Sequence, residues 1–286
     1  MARQFDRRYS LSITTASGES RIITDLRISF EITKSVLSFP NLAMIKVYNP
    51  NPDTIAALQD RFTRITLNAG YENNTRLIFT GDVRNVFESK PNVDRFIVIY
   101  AGDGERDWQN AAINRTFSSG ISVNEVIREV VNTFPNVGIG DLSGIPENAQ
   151  TVRGQTLSGS SKDVLEMFAR QYNFDWSIQD NEIVINPVDA TLPGRESILV
   201  SAQTGMLGTP TVTEIGADVK TFLNPELLPN RLFTISSSNA EVQLANLFFR
   251  DVPRTSAEGN YKVIEVVFRG DSREGDWVSL AKGRTI

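Results

Sequence analysis

The sequence predicts a mainly β protein interrupted by an α+β insertion. Three observations carry this. Apolar residues alternate at period two through residues 1–104, as strands with one buried face require. Between 105 and 193 they recur at helical spacing and then alternate again. From 194 to 286 short strands return among glycines and prolines. At 286 residues the chain is long enough for about two domains, and the pattern divides it at 104 and 193.

In the first region Leu26, Ile28, Phe30 and Ile32 mark one strand, and Ala43, Ile45 and Val47 a second. Ile65, Leu67 and Ala69 mark another, as do Phe96, Val98 and Tyr100. Asn68-Ala-Gly70 and Glu72-Asn-Asn74 supply turn chemistry. Asn51-Pro52 places a capping side chain before a proline at the first helical position, with Ile55 and Leu58 facing inward. Several short strands around one helix suggest a compact barrel or sandwich.

In the middle region Ser122-Val-Asn-Glu125 fits a capping box. Val123, Val126, Ile127, Val130, Val131 and Phe134 follow at helical spacing, and Pro135 ends the run. A second helix starts near Ser161 with Leu165, Phe168, Ala169 and Tyr172 as its stripe. Phe174–Ile178 and Ile183–Ile185 alternate around Gln179-Asp-Asn-Glu182, a β-hairpin. In the last region Leu232–Ile235 and Tyr261–Phe268 are the clearest strands. Ser236–Glu258 reads as a hairpin tip or a loop that orders on assembly.

Composition excludes several chemistries. The chain has no cysteine and no histidine, which removes thiolate nucleophiles, disulfides, Ser-His-Asp catalysis and histidine-ligated zinc. Formal net charge is −5. It divides as +2, −6 and −1 over the three regions, so the acidity sits in the middle. This is not the basic footprint of a tight nucleic-acid binder. The N-terminus lacks an apolar leader, and the longest apolar runs, such as Phe96–Ala101, are about a third of a membrane span. A soluble protein made in a cytoplasm, with no membrane insertion, is the expectation.

No motif rises to a catalytic, cofactor or metal site, and none is assigned. Gly102-Asp-Gly104 lacks the rest of a phosphate loop and reads as a domain-linking turn. Gly138-Ile-Gly140-Asp141 is equally weak. Asp103, Glu105 and Asp107 could collect a cation, but the twelfth position is Asn114, so an EF-hand fails and a solvated acidic turn is favoured. Asp271, Glu274 and Asp276 beside Trp277 could be paired hydrolytic carboxylates, and solvated turn residues are the plainer reading. Ser158–Lys162 contains no Ser-x-x-Lys and reads as a loop into a helix cap. Trp108, Trp176 and Trp277 could stack a ligand, but Trp176 alternates with Phe174 and Ile178, which points to packing. Leu244–Phe249 is either covered within a monomer or an interface in an assembly.

The order of segments resembles the baseplate or tail hub proteins of tailed bacteriophages. Ala69-Gly-Tyr71, Ile78-Phe-Thr-Gly81-Asp82 and Ala101-Gly-Asp-Gly104 come first. Ala111–Gly120 leads to a helix, Leu157–Ser161 opens the next, and Phe174–Gln179 follows. Then come Thr204–Pro210, Leu223-Asn-Pro225–Pro229, Gly259-Asn-Tyr261, Phe268-Arg-Gly-Asp271 and Trp277. Such hubs often carry a His where Phe268-Arg269 stands, and Pro-Gly at Pro229-Asn230, where Asn also tolerates the left-handed region.

The resemblance implies a non-enzymatic structural virion protein. It implies two tube-like β-barrel domains, 1–104 and 194–286, flanking the α+β unit 105–193. It implies a homotrimeric ring joining a sixfold tail tube, or its initiator, to a threefold central spike among other baseplate proteins. DNA would pass through without specific binding; the net charge of −5, rather than the resemblance, motivates the expectation of a lumen of neutral or acidic side chains. Arg3, Arg7 and Arg8 facing the bore would contradict that lumen. The hub of a phage-like contractile injection system and a tail-associated hydrolase are the alternatives. The helix Asp163–Tyr172 with its hairpin is also similar to short domains of outer-membrane secretins, over about 30 residues and without the strands those proteins need.

Overall fold

The computed structural model describes residues 6–60, 62–72, 74–89, 95–237, 239–242 and 256–286. Leu244–Phe249 and Arg3 lie outside the described residues. The first region supplies β1 (Arg7–Thr14), β2 (Ser20–Ile23), β3 (Ile28–Ser35), β4 (Leu42–Tyr48), α1 (Pro52–Gln59), β5 (Arg64–Tyr71), β6 (Asn74–Ser89) and β7 (Phe96–Gly102). The middle supplies α2 (Glu105–Asn110), β8 (Ala112–Phe117), α3 (Val123–Val131), β9 (Gly138–Ile139), β10 (Gln155–Ser160), α4 (Ser161–Tyr172), β11 (Phe174–Gln179) and β12 (Glu182–Pro187). The last supplies β13 (Ile198–Val200), β14 (Thr211–Val212), β15 (Gly216–Phe222), β16 (Leu232–Ile235), β17 (Glu241–Val242), β18 (Gly259–Asp271) and β19 (Trp277–Thr285).

Mainly β with an α+β insertion is what forms, but the two barrels do not. Strands of the first and last regions join one 14-stranded sheet, ordered β17-β14-β15-β19-β18-β3-β4-β7-β6-β5-β1-β2, with β16 also on β18 and β13 on β16. Among the described residues this sheet is not closed. The cause is β18. Its register shifts between Val263 and Glu265. Before the shift, Gly259–Lys262 pair with β16. After it, Glu265–Asp271 pair with Ser35–Ser29 of β3. The edge of β3 that a closed first barrel would use is therefore taken by the last region. Period-two alternation locates strands and their faces but does not say which edge meets which.

One apolar core follows from that junction. It runs from Leu11, Phe30, Ile45 and Ile99 through to Phe233, Val266, Phe268 and Ala281. A second core is drawn from the middle region, with Val123, Ile127, Val130, Leu165, Phe168, Trp176 and Ile183 at its centre.

Local chemistry accounts for the element ends. Asn51 Oδ1 accepts from Thr54 N at 2.7 Å and Pro52 stands at the first turn of α1. The capping box at Ser122 does not form, since Ser122 makes no side-chain cap bond. Val123 N instead donates to Ala149 O at 2.9 Å, so one orphan donor is satisfied by a neighbouring chain segment. Asn173 ends α4 at φ 57, in the left-handed region. Asp180 and Asn181, at φ 53 and 69, make the two-residue turn of the β11–β12 hairpin. Asn230 is left-handed at φ 66. Asn68-Ala-Gly70, expected as a turn, lies inside β5, where the register shifts at Leu67/Asn68 and the reversal falls after Tyr71.

Candidate functional site

The large sheet buries one face and presents the other. On β4, Ala43, Ile45 and Val47 point into the core while Leu42 and Met44 are 46% and 39% exposed. Register carries that outer face across the molecule. Arg269 stands opposite Glu31, Glu31 opposite Met44, and Met44 opposite Tyr100. In the next row Lys46 lies opposite Val98, and Val98 opposite Phe87.

This face has two zones. Over β4, β7 and β6 it is apolar. Phe87 and Tyr100, 56% and 40% exposed, meet edge to face at 5.8 Å. Lys46 Nζ sits 4.7 Å over the Phe96 ring, so its charge is spent on an aromatic face. Over β15, β19, β18 and β3 the same face carries cross-strand charge pairs. Asp218, Lys282 and Glu265 form one row, with Lys282 Nζ 2.7 Å from Glu265 Oε1. The hydrogen bond that Lys282 donates to Glu265 holds its ammonium above the usual range, and burial pushes Asp218 up. Arg269 Nη2 is 2.8 Å from Glu31 Oε2. Lys220 lies 3.9 Å from Asp276.

The apolar zone had a signal in the sequence. Leu42–Ile45 and Phe96–Ala101 are nearly unbroken apolar runs. Such runs mark strands covered on both faces, yet here one face is open. A contiguous exposed patch of this kind is the mark of an assembly surface.

The residues singled out for chemistry are used structurally. Asp103, Glu105 and Asp107 are not a solvated turn; they are 0%, 5% and 5% exposed. Asp103 accepts the backbone N–H groups of Asp180 at 2.7 Å and Asn181 at 2.8 Å, and Asn41 Nδ2 at 3.3 Å. Burial pushes its carboxyl up to about 7, against the pull of Lys34. Glu105 pairs with Arg84 and accepts from Gln109 Nε2 at 2.9 Å. Asp107 accepts from Asn136 N at 2.5 Å and Nδ2 at 2.8 Å. The acids that looked like a surface turn are local acceptors for chain that the sequence places far away.

Asp271 and Glu274 are both held by Arg27, at 2.9 and 3.0 Å. Burial works against the Asp271 charge, but the Arg27 hydrogen bond and the N–H groups of Arg273 and Glu274 outweigh it and hold the carboxyl low. They are not a free catalytic pair. Trp277 is 2% exposed, donates to Gly70 O at 3.1 Å and packs edge-on to Phe30. Trp176 is also 2% exposed. Trp108 donates to Ser38 O at 2.6 Å. Arg7 donates to the carbonyls of Asp271, Glu274 and Gly275, and Arg8 lies 3.6 Å from Glu72. Among the described residues no cluster of acids could hold a metal ion, and no helix is long and apolar enough to cross a membrane.

An open sheet with one apolar and one charge-paired zone is the kind of surface that assembly proteins present. The family model described as baseplate hub gp41 matches residues 9–240, and the chain belongs to that family. It is a structural, non-enzymatic hub protein of the phage tail baseplate. Its fold is shared with solved tail proteins. The 43 kDa tail protein of prophage MuSo2 from Shewanella oneidensis is similar at TM-score 0.63 and 10% identity, covering 96% of each chain. The tail protein from Neisseria meningitidis MC58 gives 0.63 at 8%, again covering 96% of each. The E. coli c3393 protein, a component of the type VI secretion system, gives 0.59 at 9%, over 91% of this chain and 73% of that one. A search of curated protein sequences finds no match.

Proposed function

We propose that the chain is an annular connector of the baseplate, a homotrimer on the tail axis, assembled in the host cytoplasm. The two-zoned outer face carries this reading. The apolar zone at Leu42, Met44, Phe87 and Tyr100 is buried between neighbouring subunits, because leaving it wet costs roughly 25 cal/mol per Å². The charge-paired zone faces the channel. Its cations are engaged by Glu31, Glu265 and Asp276, so DNA phosphates find few free partners and release few counterions on passing. Three copies bring six sheet halves around the axis. That allows contact with a sixfold tube, or its initiator, on one side and a threefold central spike on the other.

The division of the chain at 104 and 193 is proposed on related ground, since the second core draws its residues from 111 to 185 alone. A non-viral contractile injection machine would use a similar hub, as the fold likeness to a secretion-system component suggests; the family match favours the virion. Light scattering of the purified chain tests the ring. Three times the chain mass is expected for the wild type, and single-chain mass for Met44→Lys/Tyr100→Lys. Wild-type and variant masses that do not differ would remove the apolar zone from the interface.

A further inference from the structure

The α+β unit sits on the large sheet through a mostly polar seam, crossed by one aromatic contact, Phe39 to Trp108 at 5.9 Å, and the two apolar cores share no residue. Three buried charges cross or face that seam. Lys34 of β3 is 1% exposed and its Nζ lies 2.6 Å from Asp180 Oδ1 in the hairpin turn. Lys262 of β18 is 0% exposed. Its Nζ donates to Pro187 O and Val188 O at 3.0 Å and lies 3.5 Å from Asp175 Oδ2. Asp103 caps the same turn from the sheet side, as described above. Asn41 Nδ2 adds bonds to Ile178 O at 2.8 Å and Gln179 Oε1 at 3.1 Å, and Gln179 Nε2 donates to Ser35 O at 2.7 Å.

Other charges around these groups are few. Asp103 feels Lys34 and Asp180, and Glu105 beside it is paired to Arg84. Lys262 feels Asp175, Asp189 and Arg284, and burial holds its ammonium below the usual range. A cleft of about 260 Å³ already parts the seam at Asp175, with Val36, Leu37 and Ser38 on one wall and Glu166 and Ala169 on the other.

Seams of this kind open cheaply. The Coulomb attraction of a buried pair returns about what desolvation costs. Water restores the solvation when the seam parts, whereas an apolar contact has no such substitute. The chain crosses the seam twice. One crossing is Asp103-Gly104, where Gly104 holds φ 56 and its Cα touches Ile178 so closely that a Cβ would meet that side chain at 2.8 Å. The other ends in the exposed residues 193–197.

We propose that the α+β unit is a rocking module. The seam opens as one, water reaches Lys34, Lys262 and Asp103, and both apolar cores stay closed. The unit can then change its angle on the sheet without unfolding, which, resting on the proposed baseplate role, suits a part with more than one neighbour.

Residue-resolved hydrogen exchange on the intact chain tests this. The amides of Asp180 and Asn181, bonded to Asp103 across the seam, are expected to exchange with one common opening constant. That constant should be at least tenfold larger than for the ladder amides of β4–β7 and β11–β12. Seam amides that open only with the ladders, or each at its own rate, would overturn the proposal. A second readout does not depend on a variant that weakens the fold. The chain has no cysteine, so Ser20→Cys and Met167→Cys accept a spin-label pair, one on the sheet and one on α4. Two distance populations are expected; one narrow population would contradict rocking.

Discussion

Arg269 of β18 and Glu31 of β3 lie directly opposite each other and are joined by a 2.9 Å hydrogen bond from Nε to Oε2, although 238 positions separate them. Their pairing marks the junction at which the first and last regions become one sheet. The ion pair itself is half-exposed, and such pairs contribute little. The junction is held beneath it, where Phe268 lies opposite Ile32 and both are fully buried.

Phe268→Ala is therefore expected to destabilise the chain by about 3–5 kcal/mol. Glu31→Gln should cost under about 1 kcal/mol. Urea unfolding followed by probes on both sides of the junction checks this. With one shared core, strands β4 and β19 should be lost in a single transition for the wild type.

The outer apolar zone predicts the opposite division between stability and assembly. Met44→Lys and Tyr100→Lys lie on the open face and should change the stability of the single chain by no more than about 0.5 kcal/mol. They should abolish incorporation into tails. Denaturation of the purified variant beside a tail-assembly assay separates the two effects.

Asp103 gives a pH dependence with a definite sign. Its carboxyl ordinarily titrates at 3.8 and is pushed up to about 7 in the fold. The folded chain thus holds a proton that the unfolded chain releases. The stabilising contribution is complete below about pH 4 and is lost as pH rises towards 7. Unfolding free energy measured from pH 4 to 8 should carry this falling component in the wild type. Asp103→Asn should lack it, and should be less stable than the wild type at pH 8, where the ionised carboxylate accepts all three N–H donors and a single amide oxygen cannot.

At α1 the expectation is local. Asn51→Ala removes the acceptor for Thr54 N and should cost about 1 kcal/mol. Asn51→Gly should cost only a few tenths of that order. Thermal melts of the two variants compare them directly.

The strands and helices were legible where a single face is buried: β3, β4, α3, α4 and the β11–β12 hairpin follow from alternation and stripe alone. Asn51 and Asn230 were legible because their backbone requirements are local. The barrels were not, because closure depends on which edges pair. The thirteen residues of β18 serve β16 and β3 in turn through one register shift. Helix α2 was missed, since Glu105–Asn110 is six residues with no apolar stripe. Asp103 and Asp107 were misread as solvated because their partners Asn136, Asp180 and Asn181 lie 29 to 78 positions away. The open apolar zone was present in the sequence as two apolar runs, but only the register showed that they share one face.

Averaged images of intact tails measure the central claim most directly. They are predicted to show three copies in a ring on the tail axis, with Leu42, Met44, Phe87 and Tyr100 buried between subunits and the Lys282–Glu265 row facing the channel. Density for this chain at the periphery of the baseplate, or on the axis with that apolar zone facing solvent, would contradict the account.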